Sequence, residues 1–230
     1  MTYFNLQNRI SFMHKKTTLY FLMITLFSGI GFNISAQEKE RGINIDPEFK
    51  INALFAPVGM LNAAVEIPVS SKWSVQGETF ISPWKSFTGR HLQIYMGTVE
   101  ARYYFSENHE KWFVGGYFSM ALFDLQKWNY WNEKHVFDED KEPVFNEDGT
   151  PRITTLYQRG FNVMAGLDFG YKYRFNSHWG LEAFLGIANS QGFYHGYFQD
   201  DHTRYEHAKE WNKSGEFIPT RGGLMLVYQW

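Results

Sequence analysis

The chain has 230 residues, of which 44% are hydrophobic, 19% aromatic and 20% charged; it contains no cysteine and carries a formal charge of −2. Without cysteine, disulfide staples, zinc–thiolate centres and cysteine nucleophiles are excluded, and an acidic balance argues against nucleic acid as a partner. Past the N-terminal segment no stretch reaches the roughly 18 consecutive apolar residues of a membrane-spanning helix, whereas many aromatics in short, polar-interrupted segments suit an all-β protein with interfacial aromatic belts.

At the N-terminus, Lys15 and Lys16 precede an apolar stretch from Leu19 to Phe32, followed by the small pair Ser35 and Ala36. This is the pattern of a secretory signal peptide cleaved after Ala36, so residues 1–36 are expected to be removed on export through the Sec pathway. The apolar run, about 14 residues, falls short of the roughly 20 that a transmembrane helix needs. Met13, followed by His14 and the two lysines, suits as a start as well as Met1 does. Cleavage removes Arg9, Lys15 and Lys16 and no acid, which leaves 19 basic against 24 acidic residues, net −5.

A linker is expected over residues 37–48 and a single domain over 49–230. The domain divides into segments with period-two alternation, the mark of strands with one apolar and one polar face. The first runs from Phe49 to Ala56. In the second, Leu61, Ala63, Val65 and Ile67 alternate with Asn62, Ala64 and Glu66; in the third, Trp73, Val75, Thr79 and Ile81 oppose Ser74, Gln76, Glu78 and Ser82. The fourth sets Tyr95, Val99, Ala101, Tyr103 and Phe105 against Thr98, Glu100 and Arg102, and the fifth spans Trp112 to Leu125. The sixth has apolar residues at every odd position from Phe161 to Phe175 except Tyr171 and Tyr173, which are aromatic, with Asn162, Asp168, Lys172 and Arg174 between them. That run is about three times the usual five or six residues of a globular strand and suits a tilted membrane strand. Trp179 to Asn189 and Ile218 to Trp230 complete eight.

Eight is an even number, as single-chain outer-membrane barrels have, and the connections alternate as theirs do between short periplasmic turns and longer outer loops. The joins Ser70–Lys72, Ser106–Lys111 and Asn176–His178 are short; Trp84–His91, Gln126–Arg152 and Ser190–Phe217 are long. The Pro57–Gly59 turn is an unusually short outer loop. Trp73, Tyr103, Phe105, Trp112, Tyr171, Tyr173, Trp179, Tyr228 and Trp230 all fall at strand ends on the inferred periplasmic side, which predicts an aromatic girdle. The expected fold is therefore an eight-stranded antiparallel up-and-down transmembrane β-barrel of the outer membrane. The last strand, with alternating apolar residues and a terminal Trp230, looks like the C-terminal signal read by the barrel-assembly machinery.

The sequence also resembles a family of small outer-membrane barrels known as a domain of unknown function, often encoded beside fimbrial genes. The resemblance covers about residues 50–230. It rests on Asn52 with Leu54; Gly59 with Asn62 and Glu66; Lys72, Trp73 and Ser74; Pro83 and Trp84; Glu100 with Arg102, Tyr103 and Tyr104; and Pro219, Thr220, Gly223, Leu224, Val227 and Tyr228. It implies a fold, an outer-membrane location and a fimbrial or other envelope association, but no activity. The chain departs from the family mainly in its extended outer loops.

The polar strand faces carry Glu66, Glu78, Glu100, Asp168 and Glu182 with Arg102, Lys172, Arg174 and Arg221. An eight-stranded barrel is just wide enough for its interior to fill with side chains, so these charges are expected to interlock as a non-conducting plug. No catalytic residue, metal ligand or cofactor is assigned. A rim-acting lipid A hydrolase is the alternative, with His91 and Ser86, or His195, His202 and His207 with Asp200, Asp201 and Glu206, as rim candidates that lack triad spacing. A soluble lipocalin-like periplasmic carrier is another. The run from Asp200 to His207 has ligand types for a metal but no convergent spacing. Partners expected are outer-membrane lipid, lipopolysaccharide, and a surface protein or glycan met by the loop aromatics, among them Trp128, Tyr130, Trp131, Phe137, Phe193, Tyr194, Tyr197, Phe198, Tyr205 and Trp211.

Overall fold

The alternating segments pair edge to edge in the computed structural model, which describes residues 46–127, 131–138, 140, 142–205 and 210–229. The expected signal peptide, the linker as far as residue 45, and Trp230 with its proposed role in assembly lie outside the described residues. The strands are β1 (Glu48–Asn52), β2 (Leu61–Pro68), β3 (Trp73–Phe87), β4 (Arg90–Tyr104), β5 (Lys111–Leu125), β6 (Lys134–His135), β7 (Ile153–Thr154), β8 (Leu156–Arg174), β9 (Trp179–Phe198), β10 (Arg204–Tyr205) and β11 (Asn212–Gln229).

Each long strand is antiparallel to the next, β8 pairs with both β5 and β9, and β11 pairs with both β9 and β1. The sheet therefore closes into a ring of eight strands in up-and-down order, β1, β2, β3, β4, β5, β8, β9 and β11. Closure leaves no free edge along the paired length, so the backbone donors and acceptors there are satisfied within the sheet. β10 pairs with the C-terminal end of β9, and β6 with β7 forms a separate small hairpin in the connection between β5 and β8.

Short turns close one rim. Between β8 and β9, Asn176 Oδ1 accepts the backbone N–H groups of His178 and Trp179, both at 2.9 Å, which is the local bonding that makes Asn a turn former. At the opposite rim the expectation of a long loop over Trp84–His91 is overturned. β3 and β4 continue to Phe87 and Arg90 and are joined by Thr88 (φ 50°) and Gly89 (φ 80°), the paired positive φ values of a tight hairpin whose twist matches that of its strands. The expected loop Ser190–Phe217 is likewise shorter, because β9 runs to Phe198 and β11 starts at Asn212. The first strand differs in the other sense. It takes in Glu48 and ends at Asn52, and a 3₁₀ turn at Ala56–Val58 replaces its expected second half.

Candidate functional site: a charged interior within an apolar wall

Alternation in each strand places polar residues inside the ring and apolar residues outside. Outward-facing Val65, Val75, Val99, Phe118, Leu167, Phe169 and Leu185 are exposed, Leu167 to 68% and Leu185 to 60%, while inward-facing Lys50, Gln76, Arg102, Lys172 and Glu182 are all at 0%. This reverses the arrangement of a water-soluble protein, in which charged side chains are almost never fully buried.

The buried charges join into one network. Lys50 bonds Glu66 and reaches Glu182 at 2.5 Å. Lys172 bonds Glu48 at 2.6 Å and Glu66 at 3.0 Å. Arg102 pairs with Glu100 and, at 2.7 Å, with Glu182, so that it links this group to the next. There Arg221 bonds Glu78 and, at 2.6 Å, Glu100, and lies 3.3 Å from the Asp168 carboxylate. Tyr104 and Ser74 donate to the remaining oxygen of Glu66, at 2.7 and 2.5 Å. Aromatic faces flank the cations: Phe113 lies 4.4 Å from Arg102, Tyr104 4.6 Å from Lys172, and Tyr117 4.8 Å from Arg221. Most of the buried charges thus have opposite charge, hydrogen bonds or a ring quadrupole in place of water, the condition under which such burial is tolerated; Asp168 is the exception, its two oxygens facing Arg221 only as an ion pair without a hydrogen bond.

Of the nine residues expected inside, Glu66, Glu78, Glu100, Arg102, Asp168, Lys172, Glu182 and Arg221 are buried and meet in this network. Arg174 sits at its mouth, bonding Glu48 and, at 3.3 Å, Glu110. Sequence reasoning missed Glu48, Lys50, Tyr104 and Glu110. The signal for the first two was present, since Glu48, Lys50 and Asn52 alternate with Phe49 and Ile51, but five residues are too few to stand out. Tyr104 was hidden by the aromatics on both sides of it.

Where the carboxylates of Glu100 and Asp168 crowd together, the facing residue on β5 is Gly115. A Cβ there would lie 2.1 Å from Asp168 Oδ1 and 2.5 Å from Glu100 Oε1, so the absence of a side chain makes room for the network. Nearer the other rim the interior also holds an apolar cluster, Tyr117, Ala121, Met164 and Ala188 with Met96 against them, beside the buried Thr98, Ser119 and Ser190.

On the outer surface, a band of rings marks one rim. Trp73 packs on Tyr103 with centroids 5.2 Å apart, Trp112 on Tyr171 at 4.8 Å, and Trp179 on Tyr228 at 4.9 Å; each is a directly opposed cross-strand pair. At the other rim the candidate histidines are distributed differently from the hydrolase expectation. His91 Nδ1 is 2.8 Å from Asp124 Oδ1, and its ring stacks on Tyr157 at 4.3 Å; the other oxygen of Asp124 accepts from Arg159 at 2.6 Å. His202 Nδ1 meets the Tyr157 hydroxyl, and His195 Nε2 meets the Glu210 carbonyl. Asp200 and Asp201 pair with Arg152. The hydrogen bonds from Arg152 hold the Asp200 carboxyl down at about 2 against the opposing effect of burial. His207 and Glu206, like Trp128 and Tyr130, lie outside the described residues. Several loop aromatics pack on one another or on rim residues: Phe193 on Phe161, Trp211 on His195, Phe198 on Tyr205.

A family model described as "Protein of unknown function (DUF3575)" matches residues 20–230. No curated protein and no solved structure matches the chain.

Proposed function

We propose that this chain, which belongs to the DUF3575 family, is an eight-stranded transmembrane β-barrel of the outer membrane with a charge-filled, non-conducting interior. Its role is structural or surface-interacting, in association with fimbriae or other envelope assemblies. The observation that carries this reading is the reversed polarity of the ring, with Leu167 and Leu185 outside and Arg102, Lys172 and Glu182 wholly enclosed. In water the outer wall would present a continuous apolar surface much larger than the few hundred Å² a soluble monomer exposes. In hydrocarbon the same wall is solvated, and only a closed sheet leaves no strand edge unsatisfied.

The aromatic rim supports an interfacial girdle at the periplasmic end. The interior network supports a plug, because side chains with no exposure leave no continuous water path. Cell fractionation tests the location: the folded protein should stay with outer membranes and need detergent for release, and release by osmotic shock alone would contradict the proposal. In planar bilayers the protein should give no steady conductance.

A rim-acting lipid A hydrolase is the second reading, favoured by the His91–Asp124 pair, in which a carboxylate orients an imidazole. An unchanged lipid A mass spectrum with and without the protein removes it. A lipocalin-like carrier fits less well, since such carriers keep an open ligand cavity inside the ring.

A further inference from the structure

The wall of the ring is uneven. Along the axis of a barrel whose strands tilt by about 40°, each residue rises about 2.6 Å, so the apolar band of about 25 Å needs about ten residues per strand. β3, β4, β5, β8, β9 and β11 have 15 to 20. β1 has five and β2 has eight, which rise only about 13 and about 21 Å. The paired part of the β1–β2 hairpin therefore stops below the top of the band, and its tip, residues 53–60, packs against Trp84.

Its tip has the chemistry for that depth. Residues 53–60 read Ala, Leu, Phe, Ala, Pro, Val, Gly, Met, without one polar side chain, and Leu54 and Val58 are 59% and 40% exposed. An outer loop in water has no reason to be wholly apolar, but one in hydrocarbon must be, and must also satisfy its backbone internally. Much of it is satisfied. Ala53 N–H bonds the Leu224 carbonyl, Leu54 N–H bonds Asn52 Oδ1, and the N–H groups of Val58, Gly59 and Met60 return to Phe55 and Ala56 carbonyls. Pro57 has no N–H, and Trp84 Nε1 donates to the Val58 carbonyl at 3.0 Å. Gly59, at φ 71°, lies against the Trp84 ring, where a Cβ would approach to 2.9 Å.

Above the tip, the outer halves of β3 and β11 face a gap on one side. Pro83 stands on one flank and Pro219, at a bulge, on the other. Proline and charge on a strand edge block addition of another strand, and Lys85 and Lys213 add charge to the same two edges. The gap is therefore not built to be filled by a strand. Ile218 pairs with Ala188, which is wholly buried in the interior, so Ile218 also faces inward; yet it is 38% exposed, on the strand that borders the low side of the wall.

We infer that the β1–β2 tip is immersed in the outer leaflet and that the saddle above it, between β3 and β11, seats a lipid acyl chain against Leu54, Val58, Trp84 and Ile218. This rests on the outer-membrane reading, and the test separates the two. Because the chain has no cysteine, single spin labels can be placed at Leu167→Cys on the outer wall, at Val58→Cys and Leu54→Cys on the tip, and at Ile218→Cys in the saddle. The readout in phospholipid vesicles is collision with oxygen, which partitions into hydrocarbon, against collision with a water-soluble nickel chelate. The expected result is an oxygen-dominated profile at all four sites, with Asp148→Cys in the outer connection dominated by nickel. A water-like profile at Leu167 overturns the membrane reading and this inference with it. A hydrocarbon-like Leu167 with water-like Val58 and Leu54, or with water-like Ile218, overturns the inference alone.

Discussion

Two regions of the ring hold the same kinds of ion pair in opposite surroundings. In the half nearest the aromatic rim, Lys50, Arg102 and Lys172 are wholly enclosed with Glu66 and Glu182; beyond the other rim, Arg152 pairs with Asp200 and Asp201 where the acids are 38% and 41% exposed. The first set cannot trade a lost partner for water, and the second can. Proximity in the structure is therefore a poor guide to what a pair contributes, and the enclosure around it is a better one.

The sharpest way to break the contrast is to remove one enclosed cation. Arg102→Ala leaves Glu100 and Glu182 without their shared guanidinium and should destabilise the folded ring by about 3–5 kcal/mol. The shift of the urea midpoint in detergent micelles, followed by heat-modifiable gel mobility, measures it. Against that stands the wall. Leu167→Arg places a charge in hydrocarbon and should cost about 2–4 kcal/mol near the midplane, while Asn162→Arg, inward on the same strand, should assemble nearly normally. If the two outcomes are exchanged in outer-membrane fractions, inside and outside have been reversed, because a slip of one residue exchanges the faces.

A smaller effect is expected at Gly115. Gly115→Ala keeps every charge but forces the Glu100 and Asp168 carboxylates apart, and should cost about 1–3 kcal/mol as overpacking; Gly116→Ala, next to it on the outward face with its nearest neighbour at 3.9 Å, should be close to neutral by the same midpoint. Arg152→Ala should be the mildest, under about 1 kcal/mol. Its pH dependence has a fixed sign. The Asp200 carboxyl is held at about 2, below its unfolded value near 4, so the pair's contribution is fully present above pH 4 or so and is lost as pH falls towards 2. Wild type and Arg152→Ala should therefore differ at neutral pH and converge at acid pH.

The alternation of β2, β3, β4 and β8 was readable because each presents a face to two different environments over many residues. Strand ends were harder to place. Lys85–Arg90 carries mixed residues, since β3 and β4 there stand beyond the wall with both faces solvated, and only the Thr88–Gly89 dipeptide hints at a hairpin. β9 beyond Asn189 mixes glycines with aromatics, which fall on both faces, so no apolar–polar alternation marks it. Eight buried members of the charge network followed from face parity, but Glu48 and Lys50 did not, and neither did the wiring: Arg102 meets Glu182 across 80 residues of sequence, and His91 meets Asp124 across 33. Such pairings come from ring closure and register, which composition does not encode.

The central claim, an apolar wall facing lipid around an enclosed charge network, is tested most directly by labelling outer membranes with a lipid-soluble photoactivated carbene and mapping the modified residues. The account predicts labels at alternate positions, on Val65, Val75, Val99, Phe118, Leu167 and Leu185, and none on Lys50, Gln76, Lys172 or Glu182. Labels on the second set, or a wall left unlabelled while the protein sits in the membrane fraction, would contradict it.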